Sequence, residues 1–305
     1  MHGTALRYFL AVAQTGSLSG ASGEIHVTIS AISRKISALE AEVGTRLFER
    51  ASHGMRLTAA GQILLAHARR TVLESDAVLN QIAALRGPSL NEIRIAASES
   101  LAQILLPEAM AEFRRHNTQT RFIMYVARPS EAARRIADGE VDVAVNFSVE
   151  HARGVAVRHS WRSPVYAVMA KTHPLAERPS IELEALLAYP LALADGQSTT
   201  RLLLERSCGL ESIPVQMNIA LESNITQALM RFVASSDAIT FAGRMSFLSR
   251  PGNDGLVAKV IRNTEFQSRN LQIQTLSGRC LPPHVRAFID LLKTRIDEAD
   301  ALTGT

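Results

Sequence analysis

Four short stretches of this chain carry polar side chains at spacings that can do chemistry. In the first, Thr28 heads a run in which Ser30, Ser33, Arg34 and Ser37 fall opposite an apolar stripe of Ile32, Ile36 and Leu39. Short hydroxyls reach base edges and phosphates without filling a DNA groove, and a guanidinium neutralises phosphate or pairs with guanine in a fork. The other three are Ser98-Glu99-Ser100, Arg128-Pro129-Ser130 and Ser198-Thr199-Thr200, each just before an expected helix. Hydroxyls and free backbone N–H groups at helix starts can hold a carboxylate, and an arginine such as Arg128 can clamp it bidentately. Glu99 argues against an anion there unless it points away. Both sets have plainer readings, as a solvated helix face and as helix caps.

The elements around the first set predict a helix-turn-helix. Ser17 can cap a helix whose inward positions are Leu18, Ala21 and Ile25. Gly23, His26 and Val27 leave room for a turn, and the Thr28 hydroxyl can accept from an orphan N–H of the second helix. Before them, Leu6 to Gln14 reads as a supporting helix with Leu6, Phe9, Leu10 and Ala13 inward. After them, Leu47-Phe48 packs back, and Arg50 to Leu57 reads as a small wing turning at His53-Gly54. A plain helical hairpin remains open at this point.

The residues that follow carry a specific resemblance. Leu6-Arg7-Tyr8-Phe9, Gly16-Ser17-Leu18, Ser33-Arg34, Leu39-Glu40, Gly44, Leu47-Phe48-Glu49-Arg50 and Leu57-Thr58-Ala59-Ala60-Gly61 match, in order and spacing, the amino-terminal pattern of the LysR-type transcriptional regulators. The resemblance implies a winged helix-turn-helix, mainly α, over residues 1–58, with Thr28, Ile29, Ser30, Ser33, Arg34, Lys35, Arg50 and Arg56 on double-stranded DNA at a promoter or operator. Ile29 departs from it, standing where the family usually has a DNA-reading Gln. An Ile can pack on a thymine methyl but cannot pair with adenine. Gly20 and Gly23 stand where helix-favouring residues are more usual, at about 1 kcal/mol each relative to Ala.

Thr58 can cap a long helix running to about Arg86, stopped by Gly87-Pro88. Nearly thirty residues make a rod of roughly 40 Å. Leu65, Ala68, Val72, Ser75, Leu79 and Ile82 recur in three and four residue steps, a seam that a second copy would bury unless it folds back on its own chain. Residues 59–87 are therefore read as a dimerisation linker. The sequence itself supports a homodimer; the resemblance adds a homotetramer.

From residue 91 to about 300 strands and helices alternate, beginning with Asn91 to Ala97, Leu101 to His116, Arg121 to Val126, Ser130 to Ala137 and Val141 to Asn146. This β-α-β-α-β order predicts a mostly parallel sheet. Later strands are expected at Val155 to Arg158, Val165 to Ala170, Leu191 to Ala194, Val215 to Ala220, Ala238 to Ala242 and Leu271 to Thr275, with helices at Thr199 to Ser207, Ile225 to Ala234 and Pro283 to Ala299. Asp138, Glu140 and Asp142 read as the solvated entry to a strand. The segments Asp138 to Ala144, His173-Pro174-Leu175-Ala176 and Val285-Arg286-Ala287-Phe288 resemble the same family's effector domain. That implies an α/β, two-lobed, periplasmic-binding-protein-like fold, lobe one about 91–160 and 268–300 and lobe two about 161–267. An effector would sit in its cleft, at Ser98, Ser100, Arg128, Ser130, Ser198 and Thr199. Ser235-Ser236-Asp237-Ala238 departs from the family's glycine-rich turn.

Composition narrows the classes. Residues 1–90 hold nine Lys and Arg against six Asp and Glu, whereas the rest is nearly balanced, so the basic excess lies where a polyanion is expected. Cys208 and Cys280 read as isolated thiols without metal-ligand spacing. No serine-nucleophile elbow, phosphate-binding loop or His-Glu-x-x-His helix occurs, so no enzyme, metal or cofactor is expected, only a small-molecule effector, for which a small organic anion is the candidate. No secretory leader or membrane-length apolar run is seen, which predicts a cytoplasmic protein with no membrane partner. RNA polymerase is a further partner if the protein activates. Two other readings stay open: a small-molecule-binding or enzymatic α/β protein with an amino-terminal dimerisation module, and a non-specific architectural DNA binder.

Overall fold

The computed structural model describes residues 3–303 apart from 52–53, 85–90, 151, 153, 210–216 and 248–254. Two compact units result, one built on Met1–Ser89 and the other on Leu90–Ile136, Glu140–Leu276 and Pro283–Thr305.

In the first unit, helices α1 (Thr4–Thr15), α2 (Leu18–Ile25) and α3 (Ile29–Val43) precede a two-stranded antiparallel wing, β1 (Phe48–Ala51) and β2 (Gly54–Leu57), and the long helix α4 (Ala59–Ala84). The expected stripe of α3 is the buried one: Ile32, Ile36 and Leu39 join Phe9, Val12, Ala21, Leu47 and Phe48 in one core. The rings of Phe9 and Phe48 lie 5.2 Å apart. Ser17 caps α2 by accepting from the Gly20 N–H at 3.0 Å. The turn between α2 and α3 is made by His26, at φ 54°, and Gly23 lies inside α2. Thr28 precedes α3 without capping it. Its hydroxyl turns outward to Ser30, 3.3 Å away. Thr58 does cap, accepting from the Gly61 N–H at 3.0 Å and donating to the Arg46 carbonyl at 2.8 Å. Gly61 has no room for a side chain, since a Cβ would stand 2.1 Å from the Leu47 carbonyl. The wing tip at His53 and the helix end at Arg86 to Pro88 lie outside the described residues.

The seam of α4 divides along its length. Ala68 is buried in the head's own core with Leu64 and Leu65 against it, whereas Leu79 and Ile82 remain nearly half exposed, as does Val78.

The second unit contains two mixed sheets. The elements of the first are β3 (Asn91–Ala97), α5 (Glu99–Gln103), α6 (Leu105–His116), β4 (Thr120–Val126), α7 (Pro129–Ala137), β5 (Val143–Ser148) and β6 (Val155–Arg162). The second takes β7 (Val165–Ala170), β8 (Ser180–Ile181), α8 (Leu183–Leu187), β9 (Leu191–Ala194), α9 (Thr199–Ser207), β10 (Ile219–Ser223), α10 (Thr226–Ala234), β11 (Ile239–Gly243), α11 (Arg244–Phe247) and β12 (Leu256–Ile261). The chain then returns through a 3-10 turn, Glu265–Gln267, to β13 (Asn270–Leu276) and α12 (Pro283–Thr303). The strand orders are β4-β3-β5-β13-β6 and β10-β9-β11-β7-β12-β8. Antiparallel pairing enters the first sheet through β13, beside β5 and β6, and the second through β7, beside β11 and β12. The parallel expectation holds for β4-β3-β5, and β10-β9-β11 and β12-β8 pair in parallel as well.

Several boundaries differ from expectation for identifiable reasons. The single helix from Leu101 to His116 is two, broken at Ile104 (φ −132°). Pro107 has no N–H and its ring would clash with the carbonyl four residues back, so it is accommodated only in the first turn of a new helix. Asp138, Glu140 and Asp142 do lead into a buried strand, β5 from Val143, but they are half-buried and paired rather than simply solvated. Glu140 takes Arg134 and Arg135 at 2.9 and 3.0 Å, and Asp142 accepts from the Arg94 N–H at 2.9 Å. β10 covers Ile219–Ser223, and the start of the expected strand at Val215 lies outside the described residues; β6 continues to Arg162, and β8, α8 and β12 fall outside the expected elements, although the Val- and Ile-rich run Leu256–Ile261 carries a strand signal. The Ser235 to Ala238 turn works without glycine: the Ser236 hydroxyl donates to the Phe232 carbonyl at 2.8 Å and accepts from the Ala238 N–H. α12 closes the first lobe through Phe288, whose ring lies 4.8 Å from Phe122 and 5.4 Å from Phe113.

Candidate functional site

The candidate nucleic-acid surface is the outer face of α3. At about 100° per residue, Ser30, Ser33, Arg34 and Ser37 share one strip opposite the core stripe. Ser30 and Arg34 are exposed, Ser33 is half-buried, and the Arg34 Nε donates to the Ser30 carbonyl at 3.3 Å. Ile29 is 46% exposed at the start of the helix, an apolar group left out of the core beside that strip. Lys35 is exposed but turned away from the strip, beyond Arg34. On the wing, Arg50 is exposed, while Arg56 donates through Nε to Glu49 at 2.7 Å. Its charge is thus partly met within the wing. Glu40 escaped the sequence reading as a positioning residue. Its Oε1 accepts from the Leu47 and Phe48 N–H groups at 2.7 and 3.2 Å, fixing the wing's first strand to the recognition helix. A Gly54 Cβ would meet the Gly16 carbonyl at 2.4 Å, so the wing's second strand can lie against the α1–α2 turn only with glycine there.

The second site is a cavity of about 350 Å³ between the two lobes. It lies beyond the carboxyl ends of β3, β4 and β9, where open α/β sheets leave helix starts and free N–H groups. Ser98, Ser100, Arg128, Ser198 and Thr199 all line it; Ser130 does not. Ser198 also caps α9, accepting from the Arg201 N–H at 3.1 Å. Ser98 makes no such cap bond, and its buried Oγ has no hydrogen-bond partner among the described residues.

Each carboxylate of the lining is engaged. Asp195 pairs with Arg128, whose other amino group donates to Gln197 at 2.9 Å. Arg128 thus spans the lobes, and a clamp role for it requires that pair to open. Glu99 accepts from the Thr226 N–H at 2.9 Å and from Gln103 at 2.7 Å, so its charge sits at the start of α10 and ties α5 to the other lobe. Glu131 is held by Arg135 at 3.0 Å. A further bridge joins Arg206 to Glu150.

Sequence reasoning missed Arg269. It lines the cavity, is 3% exposed, and lies 4.2 Å over the Phe147 ring. Burial alone pushes its guanidinium down to about 9, which leaves it cationic at neutral pH. Its position just before β13 gives no local signal, because Phe147, Ser163 and Gly243, which surround it, are far away in the sequence. Among the described residues, no group of three or more His, Cys, Asp and Glu could hold a metal ion, and no helix is long and apolar enough to cross a membrane.

Known proteins resemble both parts of the chain. A family model described as a bacterial regulatory helix-turn-helix protein of the lysR family matches residues 4–62, and one described as the LysR substrate binding domain matches 86–297. A probable nitrogen assimilation transcriptional activator of Synechocystis sp. is 30% identical over 87% of this chain and 83% of its own. A full-length OxyR from Pseudomonas aeruginosa, solved as a cysteine variant, superposes with a TM-score of 0.65 at 20% identity, covering 97% of this chain and 94% of that one. Full-length CbnR, solved in complex with its target DNA, gives 0.53 at 21%, covering 97% and 100%. These two structures speak for the fold.

Proposed function

The chain belongs to the LysR family and is a DNA-binding transcriptional regulator with an effector-binding domain, and from that premise we propose how its own residues do this work. The head reads a specific sequence through Ser30, Ser33 and Arg34, with Ile29 and the Thr28 hydroxyl at the leading end of the helix. Arg50 and Arg56 hold backbone phosphate from the wing, and Lys35 reaches phosphate at the strip's far flank. The observation that carries this reading is the outer face of α3, where hydroxyls and one guanidinium stand opposite a buried stripe and Ile29 is left uncovered at the leading end.

The effector is a small organic anion in the lobe cleft, met by Ser98, Ser100, Ser198 and Thr199. No cofactor takes part, and the protein turns over no substrate. It works in the cytoplasm as a homodimer or homotetramer, with Val78, Leu79 and Ile82 of α4 covered by a second copy. Effector binding changes lobe closure, closure shifts the packing of copies, and packing resets the spacing of the two heads on their half-sites. If the outcome is activation, RNA polymerase is the next partner.

Fluorescence anisotropy on DNA from upstream of its own gene and on a scrambled duplex, at several salt concentrations, tests the head. A complex on the first at least ~10³-fold tighter is expected. Equal affinities with one steep salt slope would leave phosphate reading alone, as in an architectural binder.

A further inference from the structure

Arg269 is a buried cation without a counter-charge among the described residues, placed where the lobes join. The chain passes between its two sheets twice, once through Ser163-Pro164 and once through the segment that ends at Arg269. These crossovers are tied to each other. The Ser163 N–H donates to the Arg269 carbonyl at 2.9 Å, and the Arg269 Nε donates back to the Ser163 carbonyl at 2.9 Å. Nη2 makes only long contacts of 3.5 Å, to the Ser163 hydroxyl and the Pro164 carbonyl. The guanidinium is seated on Gly243, where any Cβ would fall 1.9 Å from Nη2. No carboxylate among the described residues pairs with it.

An ionised group taken from water is costly until paired, so a cationic wall with no anion opposite favours any ligand that brings one. The other charges of the cavity are already spoken for: Arg128 by Asp195, Glu99 by the start of α10, Glu131 by Arg135. A second negative charge on the ligand would face Glu99 and Asp195. Phe147 lies under Arg269, and Phe241, Leu229 and Met230 add apolar surface elsewhere in the lining.

Resting on the cleft reading above, we infer that the effector is a singly charged anion with a compact apolar body, and that its charged group docks on Arg269. Because the same side chain holds the Ser163 carbonyl, the docking acts on both crossovers at once. The hinge is thus loaded by the ligand directly, without a relay through the lobes.

The test uses the full chain at fixed ionic strength with acetate, butyrate, butyramide and succinate as probes. Two readouts serve: the thermal midpoint, and the emission of Trp161, the chain's single tryptophan, which lies on β6 two residues before Ser163. Butyrate is expected to raise the midpoint saturably and shift the emission, acetate and succinate to do so more weakly, and butyramide not at all. Arg269→Met should bind butyrate at least roughly tenfold more weakly. Its unliganded midpoint should equal or exceed the wild type's, since a buried unpaired charge has gone; a merely structural arginine would lower it. If Arg269→Met fails to fold, Arg269→Lys and Gly243→Ala carry the test, each keeping a cation but displacing it, and each should weaken butyrate. Equal responses to butyrate and butyramide, or unweakened butyrate binding in all folded variants, overturn the anchor while leaving a ligand-binding cleft intact. No response of the wild type to any of the anions overturns both the anchor and the anionic effector, and leaves the DNA measurement untouched.

Discussion

The recognition helix and the lobe cleft handle positive charge in opposite ways. On α3, Arg34 is exposed, bonded to the Ser30 carbonyl one turn back, and can be redirected at little cost when a phosphate or base arrives. In the cleft, Arg269 is almost wholly removed from water, fixed through Nε to one crossover and stacked on Phe147. An exposed arginine gives a long-range, salt-sensitive attraction, whereas a buried one gives a short-range demand for one particular partner. The difference suits a surface that must find a polymer and a cavity that must choose a small molecule.

The contrast breaks most easily at the head's core, because the strip exists only while its reverse side is packed. Phe9→Ala removes a ring with no exposed area from the joint between α1 and the wing, and should destabilise the head by about 3–5 kcal/mol. Circular dichroism melts and anisotropy would follow it: specific DNA binding should be lost while butyrate still shifts the Trp161 emission. Loss of both responses would show that the cleft does not hold its ligand independently of the head. Arg34→Ala should do less, costing about 1–3 kcal/mol on the preferred sequence if the guanidinium reads a base. A uniform loss on preferred and scrambled DNA alike, with a shallower salt slope, would reassign it to phosphate.

These two expectations differ in how much of their basis could be read from sequence. Ile32, Ile36 and Leu39 lie within eight residues, so helical periodicity alone puts them in the core and the hydroxyls outside. The caps at Ser17 and Thr58 are likewise local. The cleft was legible only in part, since Ser98, Ser100, Ser198 and Thr199 follow strands and precede helices, which is a local pattern with a general meaning. What Arg128 and Glu99 do depends on Asp195 and Thr226, 67 and 127 residues onward, and no spacing rule reaches across a lobe boundary. Arg269 shows the limit most clearly, because its significance lies in the absence of a paired carboxylate among the described residues. Pro107 was a different failure: the signal was in the sequence, and helical periodicity on both sides of it hid the break.

A smaller effect should come from loosening the cleft's bridges. Glu99→Gln keeps an acceptor for the Thr226 N–H but removes the charge from the start of α10, worth about 0.3–1 kcal/mol by the charge–dipole interaction. The thermal midpoint should fall slightly. Butyrate affinity should rise, because one of the two carboxylates facing the ligand has been neutralised. An unchanged affinity would place Glu99 too far from the bound anion to matter, and would weaken the argument for a single charge.

The smallest expected effect lies away from both sites, and it sharpens the contrast between buried and exposed cations. His173 is buried against Tyr189, their rings 4.5 Å apart, and its Nδ1 accepts from the Leu175 N–H at 3.1 Å. Burial lowers its pKa from 6.5, outweighing the bond to the Asp237 backbone and the attraction of that carboxylate. The folded state therefore binds this proton less readily than the unfolded chain does. Stability from the neutral ring is fully present above about pH 6.5 and is lost as pH falls below it towards the lowered value. His173→Gln, which keeps an acceptor for Leu175, should flatten the acid side of the midpoint–pH curve in that window and leave the curve near pH 8 parallel to the wild type's. Arg269→Met should leave the His173 slope unchanged, because Arg269 remains cationic throughout that range. Midpoints for both variants between about pH 5 and 8 would separate a cation the fold excludes by deprotonation from one it keeps charged for a ligand.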